Sequence, residues 1–587
     1  MPEETDKSET RRKLRRGTSS CHECRRRKLK QSFDYDASTT SRYREVRRRL
    51  VRLEALVDQL LQQPAAASVR ARADAFVGGQ SRQPGAAETY NAGSSVPAAN
   101  GFLMDDAATS TNHPSASEES APHLGLIPSL VANLLVLARK LVELAIYLQQ
   151  LGPDGSAVVT TGTLTTPPRA AAAYFVDAAS RYVTSRTDNP LCCADGIELL
   201  MLEGVYHVNA GDWRRGWQTF RRALRIACAL GLGRPLDGQG GCKADKRAWF
   251  RLVHSDRYMS LILGVPAAVP DDSSLSTMDG TELRRLERVH AVVTGRIAAR
   301  NERLHHAGFW DGVPDEQEAD NAYRETLQID DDMKQAVRLL SAELWVLPAP
   351  AVDSTPAPAT PVQIKETTAR LFAQLKHFNL LVLLHFPYLM HSLDYRKSPS
   401  PSSWPGKWQG SGSYSMLTAV HASREVLSRF LVYRALRHVP LFYRGFDFMA
   451  VTASVVLLLA HLDGHRRGHG NILAHQRPGH LQMVGCAAPC FEAMDAQRTD
   501  PVSRSAAQVL RTLAAAESDA AQGLHEYLLW REDGPVGEVG CAVSEEQGGL
   551  RLTVPHFGII HIVRKDTMAG SEMPGMQGWK YQQPRIH

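Results

Sequence analysis

Cys21 and Cys24 stand three apart in the stretch CHECRRRKLKQS. Two thiolates at that spacing can grip one ion from a tight turn, and C-x2-C recurs as half of a tetrahedral zinc site. The side chains that follow at once, Arg25, Arg26, Arg27, Lys28 and Lys30, are cations fused to that knuckle. Metal would fix a short helix that could not form alone and would aim its charges at a nucleic-acid groove. Without metal the same residues are a basic tail, binding polyanions by charge in a salt-sensitive way.

Other chemistry-bearing residues point less sharply. His461, His465 and His469 are four apart, with His475 and His480 beyond. On a continuous helix the first three would share a face and could hold a metal. Gly464, Gly468 and Gly470 interrupt them, and each glycine costs a helix about 1 kcal/mol. The expected arrangement is a polar, histidine-rich loop after a buried helix at 446–462. Cys192 and Cys193 are adjacent and badly placed to share an ion. Cys486 and Cys490 lie one helical turn apart with no second pair nearby, so these four read as core or loop cysteines. No GxxxxGK[ST], HExxH or strand-borne GxSxG occurs, so no enzyme is expected.

The elements that must position these residues follow from charge and periodicity. Of the 587 residues, the first 52 hold 17 Lys+Arg against 8 Asp+Glu, while the whole chain carries only +6. A basic arm on a near-neutral body suggests nucleic acid as partner. RRKLRR (11–16) and RRRKLK (25–30) are clusters that could serve nuclear import. The polar opening MPEETDKSET lacks the apolar stretch of a secretory signal. Nine cysteines in a chain of this length do not resemble a disulfide scaffold, and fit a reducing compartment.

Val46, Leu50, Leu53, Val57 and Leu60 recur at alternating spacings of 4 and 3. That is a heptad seam about two repeats long, able to pair two helices or to pack on the chain's own body. Residues 63–122 are rich in Ala, Ser, Gly, Pro and Asn, and read as a disordered linker. Beyond them the pattern is helical. Trp213, Trp217, Phe220, Leu224 and Ala227 share one face, with Arg214, Arg215, Arg221, Arg222 and Arg225 opposite. That arginine row is expected to be a solvated face rather than an anion site. Asp212 is placed to cap the helix, and Gly231, Gly233 and Pro235 to stop it.

Further helices are expected near 246–264, 281–305, 332–346, 364–393, 416–438, 446–462 and 503–531, with loops at 347–362 and 398–413. The apolar runs 126–148 and 446–462 are interrupted or short for a membrane span, so buried helices are expected and no membrane. Strand-like alternation is nearly absent until LRLTVPHFGIIHIVRK. The division is a basic segment at 1–45, a coiled coil at 46–62, the linker at 63–122, an all-α body at 123–540 and a C-terminal tail at 541–587.

CHECRRRKLK resembles the first half of the fungal zinc binuclear cluster transcription factors, C-x2-C-R-x-[KR]-K-[LIV]-K-C-D, through Lys30. Gln31 stands where the family has its third cysteine, and no cysteine lies between 24 and 192. Six residues of pattern ending there suggest a lost segment. The body stretches LLMLEGVYHVNAGDWRRGWQTFRRALRIACALGLGR, RAWFRLVHSDRYMSLILGVPAAVPDD, HFPYLMHS, ASREVLSRF and GFDFMAVTASVVLLLAHL resemble the family's middle regulatory region.

The resemblance implies a nuclear, zinc-dependent regulator of RNA polymerase II transcription. It implies that the chain reads CGG half-sites in double-stranded DNA, dimerises through 46–61 and contacts the transcription machinery. Lys28 would reach bases, since lysine can donate to guanine O6 and N7, while Arg25, Arg27 and Lys30 would help through phosphates. Cys21 and Cys24 would be metal ligands, in a cluster incomplete as written because structural zinc takes four. Two alternatives stand beside this. One is a regulator that no longer reads DNA and titrates partners. The other is a helical receptor for a small molecule.

Overall fold

In the α-helical stretch around Trp213, local chemistry and packing agree. The structure is a computed structural model. It describes residues 126–150, 167–185, 191–233, 243–269, 280–310, 316–348, 361–394, 411–436, 444–498, 500–532, 542–546, 549–554 and 558–568. The segment Met1–Gln59 is a separate unit, and Cys21, Cys24, the cations Arg25–Lys30, the heptad seam and the linker all lie outside the described residues.

The body is mostly helical. Its helices are α1 (Leu126–Gln150), α2 (Pro168–Ala179, running into a π-turn at Ser180–Thr184), α3 (Ala194–Ala210), α4 (Trp213–Ala229), α5 (Lys243–Leu263) and α6 (Glu282–His306). There follow α7 (Glu316–Arg338), α8 (Pro361–Leu393), α9 (Ser411–Ala435), α10 (Arg444–Arg467), α11 (Arg477–Arg498) and α12 (Pro501–Ala521). Sequential neighbours pack from α3 through α4 and α5 to α6; α6 meets α8, α8 meets α9, α9 meets α10, and α10 returns to α3.

Helix α4 starts where Asp212 Oδ1 accepts the Arg215 N–H at 3.0 Å, as its position suggested. It ends in turns through Gly231 and Gly233, both at positive φ. Trp213, Phe220, Leu224 and Ala227 are buried. A Cβ at Gly204 of α3 would stand 2.6 Å from the Phe220 ring, so glycine there admits the ring. The arginine row is only partly solvated. Arg214, Arg215 and Arg225 are exposed, but Arg221 donates to the buried Asp256 carboxylate at 2.6 Å and to Pro266 O at 2.7 Å. Arg222 donates to Thr184 O.

Three expectations are corrected. The helix placed at 332–346 is α7, which starts at Glu316; residues Ala342–Trp345 form a separate 3-10 turn. Its polar run conceals a buried stripe of Ala319, Ala322, Ile329, Met333 and Ala336. The helix expected at 503–531 stops at Ala521, where Gly523 takes a φ of 71°. Residues Tyr527–Glu532 are instead strand β1, which joins β2 (Ala542–Glu546), β3 (Gly549–Val554) and β4 (Gly558–Arg564).

All pairings are antiparallel, in the order β1-β4-β3-β2. Leu529 lies opposite Ile562, and Ile562 opposite Leu550. The boundary at 540 therefore cuts through a sheet, and residues 542–564 are not a detached tail. Leu529, Leu552, Ile560 and Ile562 fill its buried face, and β1 packs on α8 and α10.

Helix α10 is the one described helix long and apolar enough to cross a membrane. Every residue from Arg444 to Gly464 is buried within the body, so its apolar character is that of a central core helix.

Candidate functional site

Histidine placement departs from the expected loop. Helix α10 continues through Gly464 to Arg467, so His461 and His465 both stand on it. The Asn471 side chain occupies the space a Cβ at Gly464 would need, 2.6 Å away. His461 Nε2 and His480 Nδ1 are 2.9 Å apart. His465 Nε2 meets Glu517 Oε1 at 2.6 Å, and Arg477 grips both Glu517 oxygens at 2.6 and 2.8 Å. These contacts tie α10, α11 and α12 together. Burial pushes His461 down to about 4, with His480 adding to it, so its imidazole is neutral at pH 7.

Among the described residues no group of three or more His, Cys, Asp or Glu side chains could hold a metal. Cys193 Sγ caps α3, accepting from Gly196 N at 3.3 Å. Cys490 Sγ donates to Cys486 O at 3.4 Å. For zinc at the amino-terminal pair, the donor set is Cys21 and Cys24, with no cysteine again until 192. One chain thus supplies two of the four ligands a structural zinc takes, and a closed site does not fit within it.

The densest buried chemistry lies along α8. Its core-facing residues include Gln374, Lys376, His377, Asn379 and His385, all 2% exposed or less. Lys376 Nζ touches His254 Nε2 of α5 and lies 4.7 Å from the centre of the Tyr258 ring. Asn379 Nδ2 donates to Tyr258 Oη at 3.3 Å. His290 Nε2 of α6 is 3.3 Å from His377 Nδ1, and the Trp345 ring covers His377 at 4.9 Å. Burial is the main force holding Lys376, His254 and His290 well below their ordinary values; neighbouring basic groups push the two histidines further down. Burial also takes His377 down to about 3.

A second polar row lies further along α8. His385 Nδ1 is 3.1 Å from Ser415 Oγ, and His385 Nε2 is 3.8 Å from Asp330 Oδ2. These are the residue types of a serine nucleophile, base and orienting acid. However, Asp330 Oδ2 is already engaged by Lys334 Nζ at 2.9 Å and by the Tyr414 hydroxyl. Ser415 and His385 have no solvent exposure, so the row ties α7, α8 and α9 rather than presenting a nucleophile. Beyond it, Arg300 donates to Thr326 Oγ1 at 2.5 Å and to Leu384 O at 3.0 Å. Pro387 within α8 has no N–H for the preceding turn, and Arg300 serves the carbonyl next to the one left bare.

The sequence reading passed over these groups. The available signal was Lys376, His377, Asn379 and His385 inside the otherwise apolar run ARLFAQLKHFNLLVLLHFPYLM.

No family model matches the chain, and no solved structure matches it. It is similar to proteins named as regulators. It is 33% identical over 457 residues to the dehydrocurvularin biosynthesis regulator of Alternaria cinerariae, covering 75% of this chain and 54% of that protein. Against the protein of the same name from Aspergillus terreus it is 30% identical over 453 residues, 75% of this chain and 57% of the relative. Against transcription factor sdnS of Sordaria araneosa it is 31% identical over 369 residues, 59% of this chain and 42% of the relative. The chain spans about half the length of the curated relatives it matches, and its similarity is to fungal proteins named as transcription factors and biosynthesis regulators.

Proposed function

We propose that this chain is a nuclear regulator of RNA polymerase II transcription that addresses double-stranded DNA through its basic amino-terminal segment and pairs with a second chain through 46–61. The observation that carries the reading is similarity over three quarters of the chain to proteins named as biosynthesis regulators and over 59% of it to one named as a transcription factor. The segment CHECRRRKLK adds to it: Arg25, Arg26, Arg27, Lys28 and Lys30 follow directly on Cys21 and Cys24. Arg25, Arg27 and Lys30 bind phosphates and Lys28 reaches guanine in CGG half-sites. Zinc, if held by Cys21 and Cys24, orders the turn that presents these cations. The helical body receives the signal and contacts the transcription machinery.

A second reading is favoured by one feature. Gln31 stands in place of a third cysteine, and two thiolates per chain leave the cluster incomplete. On that reading the chain retains its pairing helix and body but titrates partners without reading sequence. Zinc content of the purified full chain, with gel shifts on CGG-containing and scrambled duplexes at near-physiological salt, separates the two. Bound zinc with a preference for CGG supports the reader. Metal-free protein that binds both duplexes equally, and releases them as salt rises, supports the titrating regulator. Absence of DNA binding and of pairing with a second chain would sink both.

A further inference from the structure

Helix α2 and its π-turn bury one face and leave the other bare. Ala171, Ala172, Val176, Ala179 and Val183 are buried, and α2 packs chiefly against α1. Ala170, Ala173, Tyr174, Asp177, Arg181 and Tyr182 are all exposed. Tyr174 is 71% and Tyr182 60% exposed, and among the described residues no other aromatic side chain is exposed. Water is a poor neighbour for two whole rings, so this face gains from being covered.

The π-turn shapes the face. Eight residues of α-helix would set Tyr182 about 80° round from Tyr174. From Ser180 the turn is wider, with the Ser185 N–H donating to Ser180 O at 2.7 Å. More residues per turn swing Tyr182 back toward the line of Tyr174, and such turns recur at functional sites. Two contacts fasten it: Arg222 of α4 donates to Thr184 O, and the Ser180 and Ser185 hydroxyls meet at 2.8 Å.

We propose that this face is an isologous contact between two copies of the chain, in which α2 lies antiparallel on its counterpart about a two-fold axis near Ala178. Tyr174 then faces the partner's Tyr182, and Asp177 faces the partner's Arg181.

The occupant follows from symmetry and charge. At a two-fold axis residue i meets residue j, and j meets i. Tyr174 and Tyr182 stand equally far on either side of Ala178, and the midpoint of Asp177 and Arg181 is one residue further on. Ala178 itself is small and half-buried, so the two backbones can approach there. Asp177 and Arg181 are the charges of this face; Arg169 lies about 140° round from Tyr174, off the stripe. Within one chain they pair at 2.6 Å with both side chains largely in solvent. A strongly charged partner, acidic or basic, would gain from one of them and lose to the other. A second copy gains from both, since each carboxylate comes to lie between two guanidiniums. One helix face is small beside the roughly 1,600 Å² of a standard interface, so the contact is weak alone. A chain also paired through 46–61 would close it at the effective concentration a tether supplies.

Sedimentation equilibrium of the full chain reads this contact by itself once the 46–61 seam is disabled by Leu50→Glu with Leu53→Glu. In that background a monomer–dimer equilibrium should appear by about 100 µM. Arg181→Glu and Asp177→Arg, each added alone, should weaken it about tenfold or more, because like charges then face each other twice. Mixed in equal amounts these two variants should associate with one another, since each reversed charge meets its opposite. Tyr174→Ser with Tyr182→Ser should leave the chain monomeric and its melting midpoint unchanged, as both side chains are exposed.

A background chain that stays monomeric throughout would overturn the contact. So would charge variants that associate as their parent does, or a mixture of the two that stays apart. None of these measurements involves zinc or DNA, so failure here leaves the regulator reading standing, and failure there leaves this contact standing.

Discussion

Helices α8 and α10 both run through the middle of the body, yet they place their polar residues by opposite rules. In α10 the stretch from Phe446 to Ala460 is apolar apart from Asp447, Thr452 and Ser454, and its charged residues gather at the ends. Arg444 pairs with Asp500 at 2.9 Å, Asp447 with Arg434, and Asp463 with Arg466 at 2.6 Å. In α8 the polar groups sit in the middle of the helix, and several are nitrogen bases meeting other nitrogen bases. Charges at the ends of α10 fix where the helix stops and what it docks on. Burial in the middle of α8 disfavours the charged form of these bases. The first arrangement makes stability, and the second makes a place where added charge is felt.

The largest effect should come from breaking the end of α10. Arg444→Leu leaves the buried Asp500 without its bidentate partner, and Asp447 loses a neighbouring cation. Removing one member of a buried pair costs about 3–5 kcal/mol. Urea unfolding followed by far-UV circular dichroism should show that loss, with most of the helical signal vanishing in one earlier transition. A loss under about 1 kcal/mol would mean the pair is not buried as described.

Acid should separate the two helices next. His377 is held down to about 3, and His385 and His461 to about 4, mainly by burial. In the unfolded chain these groups take protons near pH 6.5. Between those values the unfolded state binds more protons, so stability is full above about pH 6.5 and falls as pH drops toward 4. Each unit of displacement is worth about 1.4 kcal/mol at most. The comparison predicts that His377→Leu with His385→Leu flattens this slope more than His461→Gln does. Unfolding midpoints measured from pH 7.5 to 4.5 would show it; equal slopes in both variants would erase the distinction drawn between α8 and α10.

How much of this was legible beforehand differed in the same way. The α10 run and the α4 cap were readable because the information is local: a continuous apolar stretch, and Asp212 one step before Trp213. The sheet was not. Tyr527–Glu532 reads as a helix end in isolation, and becomes a strand because Ile559–Arg564, some thirty residues on, supplies its ladder. Nor was the α8 cluster legible. Lys376 and His377 appear as interruptions in an apolar run, and only folding brings His254 and His290 to them. Gly464 misled for a related reason: its helix cost is local, while the Asn471 contact that uses the missing side chain is tertiary. The amino-terminal segment Cys21 to Lys30 lies outside the described residues, so what its ten consecutive residues suggest stays an expectation.

A smaller effect is expected from Lys376→Met. Methionine fills a similar volume, needs no hydrogen bond and removes a desolvated amine, so unfolding free energy should change by about 1 kcal/mol or less, in either direction. That contrasts with Arg444→Leu, although both remove a buried basic side chain. The difference is that Arg444 leaves carboxylates behind, whereas Lys376 leaves the imidazole of His254. A loss as large as that for Arg444→Leu would place Lys376 among the stabilising charges and weaken the contrast between the helices.

The smallest effect should come from the surface, where two ion pairs join the same helices, α11 and α12. Arg477 holds Glu517, which is buried, while Arg511 holds Glu492 with both side chains largely in solvent. The geometry of the outer pair is good, at 2.7 and 3.0 Å, but water screens it and two long side chains lose freedom to make it. The inner contact also draws in His465 from α10, so α11 and α12 stay docked when the outer pair is cut. Arg511→Ala should therefore leave the urea midpoint where it was, and Arg477→Ala should lower it clearly. If both variants shift the midpoint alike, burial of Glu517 is not what distinguishes the pairs, and the account of how α10 anchors its neighbours through end charges would have to be rebuilt from the outer surface inward.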